Sequence, residues 1–397
     1  MGKSERHWRN GISRRQALAG LATFLAGSPV LRAQQDPFPL AGHRRVPGFS
    51  EMTSAYDFEP IFRANVSRAV YDYTARGTDS EFTLRRNREA FDWVDLVGGK
   101  QIAPDTVDTS LEMFGERLAT PIMLAPTARQ RPLHPDGELG MYEAATAAQS
   151  AMIVSHASSF PFDRIAEAAR GPLWFQFYPR PDRELSRQIL HDAQNAGCRA
   201  VVVTIDQTAS AYERALHNRH LGGEPRTIER PSAEDLGNPY GISSGRLWYE
   251  WSYLADIRPM IAVPMLAKGI LTGEGALRCV DIGFDGIVVS NHGGRALDYG
   301  PSTLEVLAEV VDAVGGRVPV LIDSGFRRGR DVLKALALGA DAVCLGRVPR
   351  WGLGAYGVPG AQRVLEIVQA ELVQAMAALG RPTLAALDRT AVRTEFP

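Results

Sequence analysis

The stretch Ser290 to Asp298 reads SNHGGRALD and follows directly on the apolar run Gly286 to Val289. An apolar run of that length reads as a buried strand of a parallel sheet, so the polar residues after it stand in the loop at the strand's carboxyl end. There His292 has the chemistry of a general base. The paired glycines let a planar ligand approach the backbone, and Arg295 carries the planar fork that matches a carboxylate. A lone histidine is more often structural, but one within three residues of an arginine at a strand end points to a site.

Seven further apolar runs accompany this one: Pro121 to Leu124, Met152 to Val154, Leu173 to Phe177, Ala200 to Ile205, Met265 to Ala267, Val318 to Ile322 and Ala342 to Leu345. Helix-period segments lie between most of them, among them Arg183 to Ala196, Glu274 to Ile282, Thr303 to Val314 and Asp331 to Leu338. Eight strands alternating with helices predict a (β/α)8 TIM barrel, whose active site is built at the carboxyl ends of its strands. Every predicted strand delivers a polar or backbone-donor residue there. In chain order these are Thr127 with Ala128, then Ser155, Gln176 with Tyr178, and Thr204 with Asp206. The second half supplies Lys268, then Ser290 with His292 and Arg295, then Asp323 with Gly325 and Arg327, and finally Gly346 with Arg347. Any one of these reads equally well as a capping or solvating residue; eight converging on one rim do not.

Gly325 to Gly329 and Gly346-Arg347 follow the seventh and eighth strands, where barrels commonly bind a phosphate with backbone amides and a helix amino terminus. Lys268, ending the fifth, has two readings. It is either a buried cation beside an electron-rich ligand or the Schiff-base lysine of an aldolase-like barrel. The second leaves the remaining residues of the rim without a role.

The SNHGGRALD segment resembles the signature of the FMN-dependent 2-hydroxy acid oxidases and dehydrogenases. The resemblance extends through YDYTARG at Tyr71 to Gly77, PIMLAPTA, WFQFY, and DSGFRRGRDVLKALALGADAVCLGR at Asp323 to Arg347. It implies an FMN cofactor with its phosphate on Gly325, Arg327, Gly346 and Arg347. Its ring and ribityl chain would lie against Thr127, Ala128, Ser155, Gln176 and Thr204, with Ser290 and Asp323 in the same shell. Lys268 would lie at the pyrimidine end of the ring, where a cation stabilises the charge of reduced flavin. The resemblance further implies oxidation of an L-2-hydroxy acid to the 2-oxo acid. The substrate carboxylate would rest on Arg295 and Tyr73, with Tyr178 on the developing carbonyl oxygen. His292 would accept the proton, and Asp206 would stabilise the imidazolium. Hydride and carbanion routes both remain open, as do oxygen and a soluble carrier as electron acceptor. The family's tetramers imply a homo-oligomer.

Three positions depart from the pattern. The family carries a second carboxylate-binding arginine in a stretch like YRERDLHNR, whereas Tyr212 to Arg219 reads YERALHNR and is one residue short. Arg214 takes that arginine's place if the loop shifts by one residue and is a surface side chain if it does not. Loss of one charge-assisted partner costs on the order of 1.5–3 kcal/mol of carboxylate binding. Ser324 stands where the family has a glycine, and a small residue there is expected to be tolerated. Ala157 stands where some members carry an aromatic, so a roomier pocket is expected. An altered substrate or a flavin protein that has lost catalysis is therefore the alternative reading. A flavin-type isopentenyl diphosphate isomerase is a further one, against which the intact His292 to Arg295 signature speaks.

The chain begins differently. Ser13-Arg14-Arg15-Gln16 precedes an apolar, small-residue stretch to about Leu31, which predicts a twin-arginine signal peptide over residues 1–33 and a periplasmic or extracellular protein folded with its cofactor before export. Residues 34–397 are expected to form one FMN-binding barrel domain with a polar lid loop over about 207–246. The whole chain has 44 Lys and Arg against 45 Asp and Glu; without residues 1–33 the balance is 38 against 44. A mildly acidic protein with no basic run beyond the signal is not expected to partner nucleic acid or insert stably in a membrane. Its partner is a small-molecule substrate. Sparse histidines without paired spacing predict no metal site, and Cys198, Cys279 and Cys344 read as core residues rather than a disulfide framework.

Overall fold

Each of the eight predicted apolar runs forms a strand in the computed structural model, which describes residues 47–206 and 250–397. The strands are β1 (Ile122–Leu124), β2 (Met152–Ser155), β3 (Leu173–Phe177), β4 (Val201–Thr204), β5 (Met265–Ile270), β6 (Gly286–Val289), β7 (Val320–Ile322) and β8 (Ala342–Leu345). They close into a parallel barrel in chain order, with β8 pairing back on β1 through Leu345 and Leu124. One boundary differs in a way that matters. Expected to end at Ala267, β5 runs on to Ile270 across an irregularity at Gly269, so Lys268 lies within the strand and not after it.

Strand alternation puts the site where it is. The barrel interior is filled by Met123, Ile153, Trp174, Val202, Leu266, Val288, Leu321 and Cys344, one apolar residue from each strand. Side chains two residues apart share a face, so the next inward layer comprises Ala125, Ser155, Gln176 and Thr204 from the first four strands. Lys268, Ser290, Asp323 and Gly346 complete it from the last four. The apolar layer is the floor on which the polar layer stands. The opposite mouth is closed by a hairpin, Leu111–Met113 with Glu116–Leu118, whose Phe114 packs 5.7 Å from Trp174.

Helices α1 (Phe58–Asn65), α2 (Arg68–Ala75) and α3 (Phe82–Glu89) precede the barrel; α4 (Gly137–Ala147), α5 (Phe162–Ala168) and α6 (Arg183–Asn195) follow β1 to β3. Then come α7 (Trp251–Ile257), α8 (Gly273–Ile282), α9 (Thr303–Val314), α10 (Gly329–Ala337) and α11 (Arg347–Leu379). In α11 the backbone leaves helical geometry at Tyr356 and Gly357 just before Pro359, which cannot donate to the preceding turn.

The amino-terminal helices are tied to the loop after β6. Asp298 accepts hydrogen bonds from the amides of Ser80 and Thr83, capping α3, whose own N-cap residue Glu81 makes no side-chain cap. Asn87 on α3 and Asn291 exchange a reciprocal pair of amide hydrogen bonds at 2.9 and 2.7 Å, both side chains buried. The carboxylate of Glu305 takes two bonds from Arg86, at 2.8 and 2.7 Å. All three cysteines are free and buried.

The predicted signal segment 1–33, the lid 207–246 and Arg214 lie outside the described residues. No described helix is long and apolar enough to cross a membrane.

Candidate active site

His292 Nδ1 lies 3.0 Å from Asp206 Oδ1, bringing the loops after β6 and β4 together. The contact needs Gly269. That residue has φ +107°, and a Cβ on it would stand 2.4 Å from the Asp206 Cβ. Burial by itself pushes the Asp206 carboxyl up. The charges of His292 and Lys268 and the hydrogen bond to His292 outweigh burial and hold it below the usual carboxylate range. An ionised, buried carboxylate on one imidazole nitrogen fixes the orientation of the ring. His292, Gly293 and Gly294 all have positive φ, at 60°, 67° and 73°. For the two glycines this is natural; for His292 it is strain at a reactive position.

Lys268 is 4 % exposed; its Nζ donates to Ser290 Oγ at 2.8 Å and lies 3.3 Å from Asp323 Oδ2. Burial opposes its charge, but Asp323 and Asp206 overcome that and raise its pKa above the ordinary lysine value. A lysine so held is a permanent cation and not a Schiff-base nucleophile, which needs a depressed pKa. Ser290 Oγ also accepts from the His292 amide at 3.1 Å, so the cation and the base share one hydroxyl.

The carboxylate end is built by Arg295 and Tyr73. Nη1 of Arg295 donates to the carbonyls of Tyr73 and Arg76, at 2.7 and 2.9 Å, at the carboxyl end of α2, where a cation complements the helix dipole. Among the described residues its Nε and Nη2 carry no partner, which leaves one edge of the fork for a ligand. The Tyr73 ring lies 4.9 Å under the same guanidinium. Tyr178 lines the same cleft.

The β7 and β8 side of the cleft is the one expected to take a phosphate. Arg327 and Arg347 both line it, and among the described residues neither side chain is paired with a carboxylate. Burial first, and then neighbouring guanidinium groups, lower the pKa of both, Arg347 well below the usual arginine range. Cations crowded together out of water call for an anion. Gly346 leaves room for one, whereas Gly325 serves the packing against α3. A Cβ on Gly325, at φ +86°, would strike the Asn87 carbonyl at 2.2 Å, whereas on Gly346 it would meet nothing nearer than Thr127 Cγ2 at 3.9 Å and would fill cleft space.

Of the two helix amino termini at this end, only one is open. Asp331 accepts from the amides of Arg327 and Arg328, and Glu371 from that of Gly329, so internal carboxylates already occupy the start of α10. The start of α11 at Gly346 has no side-chain cap. Of the two, only α11 can offer its amino terminus to the expected phosphate.

Further along the cleft, Gln176 Oε1 accepts from Ser155 Oγ and from the His156 amide, while its Nε2 is buried without an acceptor. Thr127 Oγ1 accepts from Gln130, leaving its own hydrogen to donate, and Ala128 and Thr204 line the wall. An orphaned amide donor, a hydroxyl and a cationic end suit the carbonyls, ribityl chain and phosphate of FMN.

Two of the departures fall within the described residues. Ser324 is tolerated, with strain: its φ is +83°, and its Oγ donates to Asp323 Oδ1 at 2.7 Å and accepts from the Gly293 amide at 3.0 Å. The Ala157 amide donates to Ser155 Oγ at 3.2 Å. Sequence reasoning passed over Gly269, Thr74 and Arg350, all decided by contacts across the fold. Only Arg350 had a signal, standing three residues after Arg347 on the same helix face. Among the described residues no cluster could hold a metal ion.

A family model described as FMN-dependent dehydrogenase matches residues 62–394. A peroxisomal (S)-2-hydroxyacid oxidase of Arabidopsis thaliana is 36% identical over 353 residues, covering 87% of this chain and 97% of its own. Glycolate oxidase of Spinacia oleracea is 35% identical over 357 residues with the same coverage. Among solved structures, mandelate oxidase superposes with a TM-score of 0.77 at 34% identity, over 87% of this chain and 99% of its own.

Proposed function

Because the chain belongs to the FMN-dependent 2-hydroxy acid oxidase family, and is thus an FMN-dependent oxidoreductase acting on CH–OH donors, we propose that it oxidises an L-2-hydroxy acid at C2 to the 2-oxo acid. The observation that carries this reading is the His292–Asp206 pair in one cleft with the open edge of Arg295. Base and carboxylate anchor flank a space in which C2 of a bound hydroxy acid presents its hydroxyl to the imidazole.

FMN, when bound, supplies the two-electron acceptor. The protein's residues do the rest. Arg295 and Tyr73 hold the carboxylate, His292 accepts the hydroxyl proton, and Asp206 stabilises the imidazolium that forms. Tyr178 steadies the oxygen as it becomes a carbonyl. Lys268 offsets the negative charge that two-electron reduction places in the site. Gly325, Arg327, Gly346 and Arg347 hold the phosphate. Oxygen or a soluble carrier then takes the two electrons.

Anaerobic titration of the yellow holoenzyme with a panel of 2-hydroxy acids tests this reading. Bleaching of the flavin by an L acid and not its D isomer is expected. A flavin that every 2-hydroxy acid leaves oxidised would overturn it in favour of altered or lost catalysis. Peroxide formed under air assigns oxygen as the acceptor; its absence assigns a carrier.

We further propose that residues 1–33 direct twin-arginine export to the periplasm or beyond, on the strength of Arg14-Arg15 before an apolar stretch. Replacing both arginines by lysine should leave the precursor inside the cell. Export that persists after this change rules the assignment out.

A further inference from the structure

Arg350 lies on α11, three residues after Arg347, and is 3 % exposed yet lines the cleft. Its Nη1 donates to the Ala128 carbonyl at 2.8 Å, and Nε and Nη2 donate to Thr74 Oγ1 at 3.3 and 3.1 Å. Among the described residues no carboxylate bonds it. Glu138 attracts it without bonding it: Glu138 Oε1 accepts from the amides of Gln130 and Ser159, and its buried Oε2 has no hydrogen-bond partner among the described residues. A guanidinium has five N–H groups; three are used, leaving one on each terminal nitrogen. Burial, opposed by the Tyr73 and Glu138 attractions and abetted by Arg295, brings its pKa down to about 10.

The neighbours say which anion it serves. The Tyr73 ring centroid is 4.9 Å from Arg295 Cζ and 5.8 Å from Arg350 Cζ, so two guanidinium groups flank one phenol.

We propose that Arg350 is the second carboxylate-binding arginine of this site, standing on a helix in place of the loop arginine that Tyr212 to Arg219 lacks. The proposal deepens the 2-hydroxy acid reading and rests on it. A carboxylate held between Arg295 and Arg350 is gripped by residues of the barrel rim and α11. Its affinity therefore does not depend on the loop.

The test uses the holoenzyme and its Arg350→Met and Arg350→Lys variants, with pyruvate as an unreactive carboxylate ligand read by perturbation of the flavin spectrum. FMN affinity is read separately by fluorescence on release. Arg350→Met is expected to weaken pyruvate about 10- to 150-fold, the range for one charge-assisted bond. The FMN dissociation constant should stay within a few-fold, and Arg350→Lys should recover part of the loss. With a reducing substrate the same change should appear in KM more than in the limiting rate of flavin reduction. Loss of FMN with pyruvate affinity unchanged in the remaining holoenzyme would make Arg350 a phosphate ligand and overturn the proposal, as would no change in either. If the Met variant does not fold, the Lys variant decides: pyruvate affinity equal to that of the unaltered enzyme contradicts the proposal. Arginine-dependent pyruvate binding in an enzyme that no hydroxy acid reduces would refute the parent reading and leave this one standing.

Discussion

Asp206 and His292, separated by 86 residues, meet at 3.0 Å because Gly269 leaves the space in which the carboxylate sits. Three strands thus contribute to one pair: β4 leads to the carboxylate, β5 supplies the gap and β6 leads to the imidazole proposed to accept the proton.

Replacing His292 by Gln should lower the anaerobic rate of flavin reduction about 10²–10⁴-fold, the usual contribution of a positioned base. Asp206→Asn, which removes one charge-assisted hydrogen bond, should lower it about 10- to 150-fold. Gly269→Ala should act in the same direction by displacing Asp206. An Asn variant that reduces flavin at the original rate would remove Asp206 from the mechanism.

The pH dependence of stability has two limbs with opposite signs. The Asp206 pKa is depressed, so its contribution is complete above the ordinary value of 3.8 and is lost as pH falls through the lower folded value. The Lys268 pKa is raised, so its contribution is complete below the ordinary value of 10.5 and is lost as pH rises through the higher folded value. Lys268→Met, which strands the buried Asp323 carboxylate, should cost about 3–5 kcal/mol of stability. That deficit, followed by melting the protein and its variant side by side, should hold steady as pH rises from about 8 to 10, above the range in which a stranded buried carboxylate takes up a proton. A deficit that shrinks as pH rises through that window would mean that Lys268 is not held as a cation.

Arg347 donates to the carbonyls of Thr74, Gly293 and Arg76 while facing the phosphate end, so its removal needs a control for structural loss. Comparing FMN with riboflavin provides it. Arg347→Met should weaken FMN about 10- to 150-fold and leave riboflavin binding unchanged, shrinking the preference for the phosphorylated form. Equal weakening of both ligands would assign Arg347 to holding α2 and the His292 loop in place.

Ser324 has left-handed backbone geometry and two hydrogen bonds. Ala and Gly both remove the bonds, but only Gly removes the strain of a Cβ at positive φ, about 1–2 kcal/mol. Ser324→Gly should therefore be more stable than Ser324→Ala by that amount in denaturant unfolding. Equal stability of the two would show that the backbone relaxes there without difficulty.

Much of this was legible from local pattern. The eight apolar runs became the eight strands, and alternation along them carried Ser155, Gln176, Thr204, Lys268, Ser290 and Asp323 inward together, because a period of two leaves no other place for them. The spacing of Thr303 to Val314 matched α9 residue for residue. Elsewhere local pattern stopped short. Nothing local showed that Glu371, 42 residues away, takes the Gly329 amide. Ser324 read as a tolerable replacement, and its strain is visible only in its φ. Arg295 read as a free fork, yet half of it is spent on the carbonyls that end α2.

Side-chain type and strand periodicity, both properties of neighbours along the chain, therefore determined the barrel and the rim on which His292, Lys268 and Arg295 stand, and the resemblance of its motifs carried the flavin family. Which groups pair, which helix terminus stays open and which buried arginine is left without an acid depend on contacts between residues far apart in sequence. Desolvation makes those contacts decisive: once Arg350 is buried, its charge must find a partner among whatever the fold has brought beside it. Only the closed barrel, with α2, α3 and α11 packed on its rim, decides what that is.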